Sequence, residues 1–167
     1  METVITETMP RKFVGAGYYR TVYEGTPGET VIKEGYGVGE SCNWTEYSFY
    51  NRNSDFRGKF TYNGKKFKVR LAKVIECRND GLLLEMEYVP NIGKIDELAG
   101  VGVCYSCSGD ETSNCDWDKC FTCLFNEWCE DKLGIQDVHM HNFGYLPGRR
   151  EVVIVDYGGS SYDSQDY

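Results

Sequence analysis

The 167-residue chain has no apolar run near the length of about 18 residues that a membrane-spanning helix requires, so no helical span is predicted. Residues Met1 to Arg11 hold acids and threonines without an apolar centre, which predicts no signal peptide. No internal repeat is visible. Basic side chains are in deficit, 18 against 26 acidic ones, for a formal net charge of −8. Such a chain repels phosphate backbones, so sequence-independent nucleic-acid binding is not expected. Disorder is disfavoured by composition. Hydrophobic residues make up 41% and aromatics 14%, enough for the core of one domain, or of a small domain with one insertion.

Eight cysteines are many for this length. Without a signal peptide they point to a reducing, cytoplasmic setting in which thiols stay reduced or bind metal. Cys42 and Cys77 are isolated, whereas six fall between Cys104 and Cys129. Within that group Cys104-x-x-Cys107 and Cys120-x-x-Cys123 form two C-x2-C units. Four thiolates so spaced can close a tetrahedron around zinc, and Cys115 and Cys129 compete for the same role. The alternative is that Cys120 and Cys123 are small core residues of a helix.

The pattern along the chain is α+β. Residues 13–24 read as a hairpin around Gly15 and Gly17, residues 25–28 as a turn, and residues 29–34 as a strand carrying Lys33. A flexible stretch with Gly35, Gly37 and Gly39 follows. A short helix is predicted over 43–52, capped by Asn43. Phe60 to Val89 read as strand, Asn63-Gly64 turn, long strand, Asn79-Asp80-Gly81 turn and strand. Composition shifts at Pro90. After the cysteine-rich stretch a helix is predicted from about Asp116 to Lys132, with Phe121, Leu124, Phe125 and Trp128 at helical spacing and Gly134 as its stop. A loop, a strand, a turn at Gly148 to Arg150 and an apolar strand ending in Asp156-Tyr157-Gly158 complete the chain, with a polar tail expected to fray.

Four pieces carry chemistry jointly. A glycine hairpin lets backbone N–H groups approach phosphate oxygens. Lys33 lies on the next strand, Asp137 and Asn142 lie four intervening residues apart after a helix, and Asp156-Tyr157-Gly158 ends a strand. Each alone reads as a turn or a snorkelling residue. Their order, with Glu46 on the intervening helix, resembles the protein-kinase-like fold over residues from about 13 to 158. The chain looks closest to minimal kinase-like proteins of bacteriophages, through Gly17-Tyr18-Tyr19-Arg20-Thr21-Val22-Tyr23, Asp137-Val138-His139-Met140-His141-Asn142-Phe143-Gly144 and Asp156-Tyr157-Gly158.

That resemblance implies a five-stranded antiparallel N-lobe with one helix over 13–90, and a reduced C-lobe over 91–158 holding the cysteine-rich segment 104–129. It implies an Mg-ATP-dependent phosphotransferase. Lys33 would contact the α- and β-phosphates and pair with Glu46. Asp156 and Asn142 would hold Mg²⁺ through hard oxygens. Asp137 would accept the proton of the attacking hydroxyl. Gly15, Gly17 and Val22 would cover the nucleotide, Met86 would back its pocket, and the backbone of Glu87 to Val89 would bond the adenine. The sequence departs from the family's pattern in two ways. Arg20 stands at the third glycine of the loop, and Ile135-Gln136 at the His-Arg before the catalytic Asp. Only nine residues follow Gly158, so no activation segment or peptide-binding platform is expected, and zinc would staple a short C-lobe. The partner expected is a host protein, as substrate or as the target of a catalytically weak, inhibitor-like pseudokinase.

Overall fold

The computed structural model describes residues 11–102 and 119–157. The expectations for Cys104, Cys107, Cys115, Gly158 and the tail lie outside those residues. Two sheets share one core. The first has five antiparallel strands, β1 (Phe13–Ala16), β2 (Arg20–Glu24), β3 (Thr30–Gly35), β6 (Val74–Arg78) and β7 (Leu83–Glu87), in the order β1-β2-β3-β7-β6. The expected hairpin at residues 13–24 is therefore present, with Gly15 opposite Val22. The second sheet has β4 (Gly58–Tyr62), β5 (Lys65–Leu71), β8 (Phe143–Leu146) and β9 (Glu151–Ile154), in the order β4-β5-β9-β8. Here β5 and β9 run parallel, and the hairpin formed before Pro90 pairs with strands formed after it.

The second sheet was not foreseen. Residues 65–78 read as one long strand, yet they divide at Ala72 and Lys73. Ala72 donates its N–H to the Ile154 carbonyl (2.8 Å), and its own carbonyl accepts the Tyr157 hydroxyl (2.9 Å). One residue later the Lys73 carbonyl accepts from Glu87 N (2.8 Å), in the other sheet. The chain changes sheets there without a glycine or proline to mark it. The Asn63-Gly64 turn is as expected, with both residues at positive φ, 48° and 74°.

Helix α1 runs Val38–Asn53, not 43–52. Asn43 is no cap: it is fully buried mid-helix, donating to the carbonyls of Gly81 (2.7 Å) and Lys33 (3.2 Å). Gly35 and Gly39 are packing contacts rather than slack, whereas Gly37 faces open space at φ 58°. A Cβ on Gly35 would meet the Gly39 Cα at 2.7 Å, and a Cβ on Gly39 would meet the Tyr19 carbonyl oxygen at 2.5 Å. The absent side chains let the tip of the β1–β2 hairpin rest on the first turn of α1.

Beyond the first sheet come α2 (Ile95–Ala99) and α3 (Phe121–Leu133). Cys120 forms the N-cap of α3, so among the described residues this helix begins later than the predicted Asp116. Gly134 ends it as expected, at φ 68° with its N–H on the Glu130 carbonyl (2.9 Å). The apolar face of α3 sets Phe121 and Phe125 against Phe60 of β4 and Phe143 of β8, ring centres 5.1–6.2 Å apart. Such edge-to-face contacts favour one packing over others of equal area. Cys123 and Cys129 are buried on this helix. No helix among the described residues is long and apolar enough to cross a membrane.

Candidate functional site

Lys33 lies mid-strand in β3, opposite Val22 of β2 and Leu84 of β7. It is 7% exposed, and a buried ammonium demands partners. It has three: Nζ donates to Glu46 Oε1 (2.8 Å), Glu46 Oε2 (3.0 Å) and the Val155 carbonyl (2.6 Å). Glu46, on the buried face of α1, has no exposure and also accepts from Arg20 Nη1 and from Tyr157 N (3.4 Å). The backbone of Val155 joins two regions, because its N–H donates to the Asn142 carbonyl (2.7 Å) while its carbonyl takes Lys33.

Arg20 completes this network. It begins β2, and its guanidinium reaches beneath the hairpin to Asn43 Oδ1 (3.1 Å), Glu46 and Asp156 Oδ1 (2.9 Å). Burial works against its charge, but the carboxylates of Glu46 and Asp156 outweigh that and hold its pKa above the ordinary value. Arg20 and Lys33 face Glu46 and Asp156, so the four formal charges cancel. Lys33 and Glu46 are buried, whereas the Asp156 side chain is 43% exposed. Tyr157 packs next to Glu46 in the core, and burial pushes its hydroxyl well above the usual phenol range.

The remaining candidates are placed as follows. Asp137 is exposed, at left-handed φ 59°, in the loop after α3, where Val138 N donates to Asn126 Oδ1 (2.7 Å). Asn142 closes a 3-10 turn at Met140–Asn142, its Oδ1 accepting from His139 N (3.3 Å). Glu87 ends β7 with its carboxylate gripped bidentately by Arg70 (2.6 and 2.8 Å) and its N–H on the Lys73 carbonyl. Burial raises the Glu87 pKa, but the bonds from Arg70 and Lys73 N overcome this and hold it below the usual carboxylate range. Val89 and Met86 are buried. The segment at Val89 and Pro90 lies against β8, since a Cβ on Gly144 would meet the Pro90 carbonyl oxygen at 2.4 Å. Gly17 closes the hairpin tip through its N–H on the Arg20 carbonyl (2.8 Å), and Gly15 has open space on its side-chain side.

The fold thus pairs Lys33 with Glu46, joins Asp156 to Glu46 through Arg20, and ties the backbone of Asn142 to them through Val155. Sequence reasoning missed the parts played by Arg20 and Asn43. Arg20 stood out only as a departure from a glycine pattern, and Asn43 was indistinguishable from a cap. Of the cysteine quartet, Cys120 and Cys123 are buried at the start of α3. Among the described residues no group of three or more His, Cys, Asp or Glu is placed to hold a metal ion. No family model matches the chain, and no curated protein does.

Proposed function

We propose that the chain is an Mg-ATP-dependent phosphotransferase of the minimal protein-kinase-like type. The observation that carries this reading is the buried Lys33–Glu46 pair, linked through Arg20 to Asp156 and assembled from a sheet strand, a helix and the segment after another strand. Phosphoryl transfer asks a protein mainly to position charge, and these residue types suit that task. Lys33 would contact the nucleotide's phosphates while Glu46 holds its ammonium in place. The donor set of Asp156 and Asn142 is hard oxygen, as Mg²⁺ requires, and the ion would neutralise charge developing on the phosphates. Asp137, exposed in its loop, would orient the incoming hydroxyl. Gly15, Gly17 and Val22 would cover the nucleotide, with the backbone of Glu87 to Val89 at the adenine. A zinc ion held by Cys104, Cys107, Cys120 and Cys123 would be structural.

One observation favours a second reading. Arg20 occupies Glu46 and Asp156, the acids that a lysine and a metal need. A chain so arranged would be catalytically weak and would act by capturing a protein, such as a host factor of a phage. Transfer of labelled phosphate from ATP, by wild type and by Asp156→Ala, tests the first reading: incorporation that depends on Asp156 supports it, and equal incorporation by both defeats it. Partner capture that persists in Lys33→Ala, with no transfer by wild type, favours the second.

A further inference from the structure

The chain is acidic, yet five of its 18 basic residues surround one cavity of about 430 Å³. Lys59 comes from β4, Lys66 and Lys68 from β5, and Arg149 and Arg150 from the turn before β9; Thr61 and Phe67 complete the wall. The sheet's alternation explains the lysines. Phe60, Phe67 and Val69 face the core, so Lys59, Lys66 and Lys68 face out.

Folding alone does not favour this arrangement. Lys59 and Lys68 are direct cross-strand partners, and like charges in register repel. Arg150 adopts left-handed φ 48°, uncommon for a residue other than glycine. Its backbone is fixed at both ends, with its N–H on the Pro147 carbonyl (3.2 Å) and its carbonyl accepting Lys68 N (2.9 Å). The backbone of Arg150 is therefore pinned beside Lys68. Glu151 accepts from Arg70 Nε (2.7 Å) and lies 4.0 Å from Arg149 Nη1. One carboxylate does not offset five cations.

We propose that this cavity binds a small ligand carrying several phosphate groups. Charge density selects the class. A phosphate monoester group brings about two negative charges, so about three such groups match the five cations. Five carboxylates on one face of an extended peptide would span about 30 Å, because alternate side chains point away. A cavity of about 430 Å³ suits the compact anion. Paired guanidiniums grip phosphate bidentately, with the lysines as point charges. The sole aromatic in the lining, Phe67, is 1% exposed, so it offers no ring face for stacking a base. The cavity is separate from the Lys33 cluster. Arg150 and Asp156 lie at opposite ends of β9, about 20 Å apart along an extended chain.

The test is calorimetric titration of the full chain with inorganic tripolyphosphate, without magnesium. The wild type is compared with Lys66→Gln/Lys68→Gln, Arg149→Gln/Arg150→Asn and Lys33→Ala. All variant pairs change exposed side chains, and Asn tolerates the left-handed backbone at Arg150. Saturable binding is expected, weakened about tenfold or more by either basic-pair variant and much less by Lys33→Ala. Binding lost only in Lys33→Ala would put the anion in the cleft and overturn the proposal, as would no saturable binding or equal affinity in all four proteins. Short duplex DNA forms the second arm. Salt-sensitive binding to it that depends on the same lysines and arginines, without affinity for tripolyphosphate, would overturn the small-ligand assignment in favour of a nucleic-acid backbone. Because the basic-pair variants leave Lys33 in place, failure of this proposal leaves the phosphotransferase reading untouched, and the reverse holds.

Discussion

Replacing Arg20 by Gln removes one charge from a balanced group of four. Asn43 Oδ1 loses a hydrogen bond in a fully buried setting, worth about 1 kcal/mol. Glu46, with no exposure, loses a charge-assisted bond, worth about 2 kcal/mol, though Lys33 still pairs with it. The Asp156 side chain is 43% exposed, so water replaces much of what it loses and its share is well under 1 kcal/mol. The expected cost is about 3 kcal/mol, at the lower edge for breaking a buried ion pair. For a chain of this length that lowers the melting temperature by about 9 °C. The same change leaves Asp156 without its Arg20 bond, so a metal meets less competition there. Thermal unfolding with Mg-ATP, and with ATP plus EDTA, reads both effects. The variant should melt lower without ligand, and its magnesium-dependent rise should exceed that of the wild type. An unchanged melting temperature would refute the energetic argument. A stabilisation by ATP that EDTA leaves intact in both proteins would refute the role given to the metal.

Other consequences follow from single contacts. Gly144→Ala would drive a Cβ to 2.4 Å from the Pro90 carbonyl oxygen, and urea titration should show a loss of about 2 kcal/mol or more; no loss would mean that β8 and the Val89–Pro90 segment move apart freely. The Glu87 pKa is depressed in the fold, so its bonds to Arg70 stabilise above the ordinary carboxylate pKa, and that stability is lost as pH falls through the lower folded value. The stability gap between wild type and Glu87→Gln should therefore be present at neutral pH and close on acidification; a gap constant to pH 3 would contradict this. Burial pushes the Cys129 thiol up, away from the thiolate form. Alkylation by iodoacetamide followed by peptide mapping should leave Cys129 unmodified in the native chain and modify it after denaturation.

Local patterns were readable where chemistry acts over a few residues. The Asn63-Gly64 turn, the stop at Gly134 and the hairpin at residues 13–24 depend on backbone preferences that a tetrapeptide already expresses. A strand after the Asn63-Gly64 turn was likewise readable, and in the fold it buries Phe67, Val69 and Leu71 on one face. Lys33, Glu46 and Asp156 could be nominated only through their order along the chain.

Tertiary structure decided the rest, because it turned on distances between segments far apart in sequence. The break at Ala72 carries no local signal; it exists because Ile154 and Glu87 offer hydrogen-bond partners in two different sheets. Asn43 caps nothing because Gly81 and Lys33 bring carbonyls to it, and a buried amide takes the partners that packing provides. Arg20 is joined to Asp156 across 136 positions, a span over which periodicity says nothing. The sequence by itself set most of the strands, helices and turns, though not the break at Ala72 or the start of α1, and which residues were chemically able to act. Only the packing of α1 on the first sheet, with the segment after β9 beside it, decided that Arg20 would share Glu46 with Lys33 and also reach Asp156, since buried charges must be balanced where they meet.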